Sequence, residues 1–310
     1  MSAEYSRLEA WVMAARPQTL PAAAAPVAVG AALAYDAGVF AALPALAALL
    51  GAEFIQVATN FANDYFDAVK GTDTDDREGF TRVTQAGLID PGTVKMAATA
   101  TFALAGVVGL YLVYVGGVPI LVIGLASILS GITYTGGPYP FGYYGLGDLF
   151  VFVFFGIVAV SGTYYVQAVT VVAGHFPSWF PPGTVPAHVL VASLPMAALT
   201  TNILIVNNVR DLETDREAGK ITLAVRLGYR GSRLEFLGLL ALAYLVPVGF
   251  FLTPAYGLPI LLPLVSLPYA ARIFRTVNEN ESGDVLNPAL ESTGKLLAIY
   301  AALFALGLIL

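Results

Sequence analysis

Two stretches of the chain gather residues that could do chemistry. In Asn60-Phe61-Ala62-Asn63-Asp64-Tyr65-Phe66-Asp67, the i, i+4, i+7 spacing of Asn60, Asp64 and Asp67 puts all three on one helical face, with Asn63 beside them. In Asn207-Asn208-Val209-Arg210-Asp211-Leu212-Glu213-Thr214-Asp215, the polar positions Asn207, Asp211 and Asp215 are spaced i, i+4, i+8. Each stretch closes a long apolar segment. Carboxylates this near hydrocarbon are costly unless a cation or a polar cavity receives them. Hard oxygen ligands with no Cys or His among them point to Mg2+, which binds through one or two carboxylates plus the phosphates of a substrate. Two such faces could hold metal on both sides of a diphosphate. The plainer alternative is a pair of solvated helix ends.

The segments that must carry these motifs are those of a membrane protein. Apolar residues make up 57% of the 310, charged residues 12%, and mean hydropathy is +0.75, where soluble chains are nearer a quarter charged. The expected fold is all-α and polytopic, one integral-membrane domain over 1–310. Apolar segments of spanning length fall near 17–35, 39–60, 93–115, 118–134, 148–172, 187–207, 234–253, 257–274 and 290–310, nine helices in all. All 15 Lys and Arg lie before the first segment or in the second–third, sixth–seventh and eighth–ninth connections and their flanks. The positive-inside rule then puts the N-terminus in the cytoplasm, the C-terminus outside and both acidic motifs at the cytoplasmic face. The absence of cysteine excludes thiol nucleophiles and zinc-thiolate sites. Residues 1–16 lack an apolar stretch with a cleavage site, so no cleaved signal peptide is expected. No basic patch interleaved with aromatics indicates nucleic acid, and no protein partner is predicted.

Other residues along the chain carry open alternatives. Glu53, about 10 Å below Asn60 by helix rise, is either an isolated acid kept neutral by burial or part of an acceptor pocket. The connection 70–90 is either a solvated loop or a lid over a charged substrate, as its mixed charges beside the first motif allow. The tyrosines of 135–148, Tyr139 among them, form an interfacial belt or line a site, flanked by Tyr134 and Asp148. Arg210, Arg216, Lys220 and Arg226 set cations beside the second motif, as a metal–diphosphate complex requires. An apolar cavity beneath converging motifs would suit a diphosphate head on a long hydrocarbon tail. Phe61, Tyr65, Phe66, Tyr134, Phe152 and Phe155 are candidates to shelter an allylic carbocation. The rival class is a transporter or divalent-cation channel lined by intramembrane acids. A phosphatidyl-type transferase would need its acids on one compact motif.

Asn63-Asp64-Tyr65-Phe66-Asp67, Asp211-Leu212-Glu213-Thr214-Asp215 and Gly219-Lys220-Ile221-Thr222-Leu223 together resemble the UbiA superfamily of intramembrane aromatic prenyltransferases, over most of the chain. Arg16-Pro17-Gln18-Thr19-Leu20-Pro21, Asn63 through Asp73, Arg82-Val83-Thr84-Gln85-Ala86-Gly87 and Gly145-Leu146-Gly147-Asp148 resemble its branch acting on 1,4-dihydroxy-2-naphthoate. The resemblance implies nine helices around a central cavity and a Mg2+-dependent transfer of a polyprenyl group from its diphosphate to the naphthoate, with decarboxylation, giving a demethylmenaquinone. It implies catalytic roles for Asp64, Asp67, Asp211 and Asp215, with Asn60 and Asn207 joining them as metal ligands. It further implies Lys220, Arg82 and Arg16 at the diphosphate, and it leaves Glu53, Asn63, Tyr134, Tyr139 and Asp148 for the acceptor or carbocation pocket. Other acceptors of that superfamily are a hydroxybenzoate, a chlorin or haem ring, and a glycerol-phosphate lipid. Where some members carry a further Asp four residues after Asp67, this chain has Gly71, and Asp73 is the nearest substitute.

Overall fold

Ser6 opens the first helix with a capping box: its hydroxyl accepts from the Glu9 amide, and the Glu9 carboxylate accepts from the Ser6 amide. That helix, α1 (Arg7–Ala15), buries Ala10 and Ala14, leaves Leu8 exposed, and sets Trp11 edge-on to Phe61 at 5.7 Å. A computed structural model describes residues 5–71 and 82–310. The apolar segments that follow are α2 (Leu20–Asp36), α3 (Ala42–Lys70), α4 (Pro91–Thr133), α5 (Gly147–Val172) and α6 (Ala187–Arg210). A short α7 (Leu212–Glu217) precedes α8 (Leu223–Phe251), α9 (Leu258–Glu279) and α10 (Gly283–Ile309).

Seven of these helices are long and apolar enough to cross a membrane, and they agree with nine spanning segments once α4 and α2 are considered. Within α4, Gly117 has φ 66° and ψ −150°, where the helix breaks. A Cβ added at Gly131 would lie 3.4 Å from the ring of Phe102, a contact possible only if the chain doubles back. So α4 is a hairpin of two antiparallel arms. At the bend the backbone of Pro177 presses so close that a Cβ at Gly117 would sit 2.0 Å from its carbonyl oxygen, and only glycine fits. The alanine-rich α2, with 17 residues, supplies the remaining short span. The protein is an all-α integral membrane protein.

Several boundaries moved, each for a local reason. The apolar run of α3 stops at Asn60, but the helix continues to Lys70, so the first acidic motif is helical throughout. Gly228 (φ 65°, ψ 177°) divides a short leading turn from the spanning part of α8. In α9 the prolines at 259 and 263 remove amide donors, and Leu258–Ser266 winds as a 3₁₀ helix. Phe152–Val158 in α5 is π-helical, packed where Gly156 lies flush on Ala197 of α6.

The centre of the molecule is α6, 72% of whose apolar window is buried. Around it Leu33, Val160, Met196, Leu199, Phe236, Leu297, Tyr300 and Phe304 make one core from α2, α5, α6, α8 and α10. The hairpin α4 and helix α3 stand beside this core, and the site lies between the two groups.

Candidate active site

The first motif reaches its place because α3 outruns the hydrocarbon. Its 29 residues make a rod of about 44 Å against a core of roughly 30 Å. Asn60 and Asp67 face inward, whereas Asp64 is turned aside. On a helix of 100° per residue, Asp64 is rotated about 40° from Asn60 and Asp67 about 20° the opposite way. Asp64 is 1% exposed and accepts the amides of Val83 (3.2 Å) and Thr84 (3.0 Å), which pins the returning loop to the helix. Asn60 donates to the Ala15 carbonyl and the Thr19 hydroxyl, both at 2.9 Å, tying α3 to the entry of α2. Asn63 accepts from Thr135 at 2.8 Å.

Asp67 is the hub. It is 2% exposed, and Arg82 Nη2 lies 2.8 Å from its Oδ2. The Tyr143 hydroxyl donates to its Oδ1, and Lys220 Nζ is 3.9 Å from the same oxygen. Lys70 and Lys220 sit over the Tyr143 ring, 5.0 and 4.9 Å from its centre. The ring's negative face attracts each ammonium, offsetting part of the repulsion between the two cations.

The second motif comes from the C-terminal end of α6. The helix closes at Arg210, Asp211 takes φ −92° and ψ 10°, and α7 begins at once, so the third acid is delivered on a new turn. Arg210 grips Asp211 with two bonds of 2.7 Å, and it also donates to Asn207 (2.9 Å) and to Asn287 of α10 (2.8 Å). The Asp215 carbonyl accepts from the Lys220 amide at 2.8 Å, and the Ile221 amide donates to the Tyr143 carbonyl at 2.9 Å. That last bond joins the 135–146 connection to the 218–222 connection. The two motifs therefore emerge on one side and meet, with Lys220 of the second loop beside Asp67 of the first.

Beneath them lies a cavity of about 640 Å3. Its mouth carries Asn60, Asp67, Arg82, Asn207, Asp211, Asp215 and Lys220, and Arg16, Asn63 and Tyr134 also line it. Arg16 reaches it from a left-handed backbone (φ 53°), rare for a side-chain-bearing residue and a mark of a constrained position. Of the remaining candidates, Asp64 serves the loop backbone, and Glu53 and Asp148 are not on the lining. Glu53 Oε2 and Asp148 Oδ2 are buried without hydrogen-bond partners. Tyr139 is 77% exposed and leans on Tyr144, in keeping with an interfacial place. Asp73 and the rest of 72–81 lie outside the described residues. Among the described residues no three His, Cys, Asp or Glu side chains form a preformed metal cluster. The lining oxygens of Asp67, Asp211, Asp215, Asn60 and Asn207 are all hard donors, and such a set fits Mg2+ held jointly with substrate phosphates.

Below the mouth the walls are apolar. Phe141, Phe150 and Phe154 form a near-parallel ladder along one side, with ring centres 3.9 and 5.9 Å apart. At the end far from the mouth, Ile120 and Val166 line the cavity and pack in a buried cluster with Val115, Tyr165 and Val169. A pathway across the membrane would need polar groups there. Sequence reasoning missed three participants: Tyr143, Lys70 and the clamp made by Arg210. Arg210 was visible as a cation next to Asp211, but nothing local singled out Tyr143 among its neighbouring tyrosines.

An all-α membrane bundle, with two acidic helix tips meeting over an apolar cavity, is the architecture of a lipid-substrate enzyme of the intramembrane prenyltransferase class. The UbiA prenyltransferase family model matches residues 23–287, and the chain belongs to that family. The 1,4-dihydroxy-2-naphthoate octaprenyltransferase of Escherichia coli (strain K12) is 40% identical over 314 residues, covering 99% of this chain and 97% of the relative. The enzyme of the same name from Mycobacterium tuberculosis is 39% identical over 293 residues, 94% of each chain. Among solved structures, a UbiA homolog from Archaeoglobus fulgidus bound to DMAPP and Mg2+ shares the fold, with a TM-score of 0.61, 18% identity, and 95% and 98% of the two chains covered.

Proposed function

We propose that this protein transfers a polyprenyl group from its diphosphate to 1,4-dihydroxy-2-naphthoate, with loss of carbon dioxide, giving a demethylmenaquinone. The observation that carries the reading is the meeting of the two acidic motifs, through Lys220 and Asp67, at the mouth of one apolar cavity. Near-full-length identity to naphthoate octaprenyltransferases supports the choice of acceptor.

In this reading Asp67, Asp211 and Asp215, with Asn60 and Asn207, hold Mg2+ together with the diphosphate. Bound there, the metal offsets the charge that gathers on the leaving diphosphate as the C–O bond breaks. Lys220, Arg82 and Arg16 supply fixed positive charge to the same oxygens, and Asp64 acts through the loop it anchors. Tyr143 keeps Asp67 aimed while its ring holds both lysines in place. Below the mouth the aromatic ladder excludes water from the allylic cation. The carbon bearing the carboxylate forms the new C–C bond, and loss of carbon dioxide restores the aromatic ring, so no strong protein base is demanded. The distribution of Lys and Arg supports a cytoplasmic position for this mouth under the positive-inside rule.

The test is to offer purified protein a prenyl diphosphate with Mg2+ and either dihydroxynaphthoate or 4-hydroxybenzoate. Prenylated naphthoquinol should form from the first and not the second. Comparable turnover of hydroxybenzoate would overturn the acceptor assignment. Failure to release diphosphate with any aromatic acceptor would overturn the reaction class.

A further inference from the structure

One face of α1 is left uncovered by the described residues. Ala10 and Ala14 are buried, and Trp11 and Met13 pack in one cluster with Ala14, Phe61, Ala62, Val94 and Ala98. At 100° per residue, Leu8 and Val12 (i, i+4) fall on the opposite side of the helix, with Tyr5 just ahead of its Ser6 cap. These three are 74%, 48% and 47% exposed. A surface helix of a soluble protein turns its apolar stripe toward the core, whereas α1 also turns one away from it.

Two contacts fix how α1 lies. The Ala15 carbonyl accepts from the Asn60 amide at 2.9 Å, and Trp11 meets the ring of Phe61. Four residues of α1, about 6 Å, thus pass one residue of α3, about 1.5 Å. The helix crosses α3 rather than running beside it. Left-handed Arg16 and the 3₁₀ turn Pro17–Thr19 separate its axis from that of α2. The crossing falls where the apolar run of α3 gives way to the acidic motif, the level at which hydrocarbon yields to headgroups. The uncovered stripe is also continuous with the surface of α4. Val94 and Ala98 of that helix pack with Ala14, and its Met96, Leu104 and Val107 are exposed, as side chains facing lipid are.

We propose that α1 is an interfacial anchor, lying along the leaflet on the side of the cavity mouth with Leu8, Val12 and Tyr5 immersed among phospholipids. Such helices sit with their apolar face at the boundary of headgroups and acyl chains. Tyr5 suits that boundary, where a phenol keeps its hydroxyl among headgroups, and the exposed Arg7 has the length to reach lipid phosphate. The anchor bears on the site through the residues that follow it. The Thr19 hydroxyl donates to the Arg16 carbonyl and accepts from the amides of Asn60 and Gln56. Seating α1 in lipid therefore holds Arg16 at the cavity. On the reading of function above, Arg16 there is a diphosphate ligand, and the link from lipid to catalysis rests on that reading.

Because the chain has no cysteine, Leu8→Cys and Val12→Cys each take a single nitroxide in full-length protein, reconstituted in vesicles of phosphatidylcholine and phosphatidylglycerol. Both labels should be relaxed more by oxygen, which partitions into lipid, than by a water-soluble nickel chelate. The order should reverse at Glu217→Cys, on an exposed position of α7. Preference for nickel at 8 and 12 overturns the anchor, since the stripe then faces water. Low access to both reagents overturns it too, since protein then covers the stripe. These labels report no chemistry, so their failure is distinct from failure of the assigned reaction. The link to Arg16 is read separately, as Kd for a prenyl diphosphate with Mg2+ and no acceptor. Leu8→Asp combined with Val12→Asp should raise that Kd roughly tenfold by freeing Arg16 to move, while the apolar Leu8→Phe keeps the parental value. A parental Kd in monodisperse double variant overturns the link.

Discussion

Asp67 is held by a guanidinium, a phenol and an ammonium at once, so its replacements should separate charge from aim. Asp67→Asn and Asp211→Asn remove negative charge at the metal–diphosphate mouth. Each is expected to slow diphosphate release by at least about 100-fold, the scale of losing one group that stabilises leaving-group charge. Tyr143→Phe deletes one hydrogen bond to a carboxylate, about 1.5–3 kcal/mol, so kcat/KM should drop roughly 10- to 100-fold while protein yield is unchanged. Tyr139→Ala should stay within about twofold of the parent, because the side chain faces away from the cavity. Steady-state assays of membranes carrying each variant check all four. The spacing of Asn60 and Asp67 was readable in the sequence because helical geometry alone relates them. The turning aside of Asp64 was not readable, since its partners arrive from Val83 and Thr84 across a long connection. Tyr143 was equally hidden. Tyr134, Tyr139, Tyr143 and Tyr144 share one Gly- and Pro-rich neighbourhood, and only the folded loop decides which of them meets an acid.

At the scale of elements, hydropathy located the spans but not their ends. Polarity ended the apolar run of α3 at Asn60, yet the ten residues beyond include no helix breaker, so the rod continues and carries the motif out of the hydrocarbon. The hairpin of α4 was legible from Gly116-Gly117 and Pro119, which mark a bend. What local pattern could not convey is that Pro177, from the loop after α5, closes on that bend. Gly117→Ala should therefore be severely destabilising, combining the cost of a positive-φ backbone open essentially to glycine alone, about 1–3 kcal/mol, with a collision at 2.0 Å against backbone. The readout is the apparent Tm of the detergent-solubilised protein and its monodispersity, with Gly109→Ala as a control of equal chemistry in open space.

For the whole molecule, the distribution of basic residues and the fold converge on one polar end. A topology map should follow the charge. In the cysteine-free background, Ala37→Cys and Ser178→Cys should react with an impermeant maleimide from outside intact cells, and Gly219→Cys only after lysis. Metal removal belongs to this scale as well, because Mg2+ and diphosphate draw on groups from both halves of the chain. A chelator should abolish turnover, with Mg2+ restoring it. Inorganic pyrophosphate should raise the Tm only when Mg2+ is present, a linkage worth about 2.7 kcal/mol at a hundredfold excess over Kd. The buried cluster at the end of the cavity far from its mouth has one more effect. A deep acidic well that penetrated the bilayer completely would conduct protons and run down the voltage across it. Stoppered by valine, isoleucine and a tyrosine whose hydroxyl donates to the Gly116 carbonyl, this one keeps water to a single compartment, so an energised membrane can house the reaction without leaking.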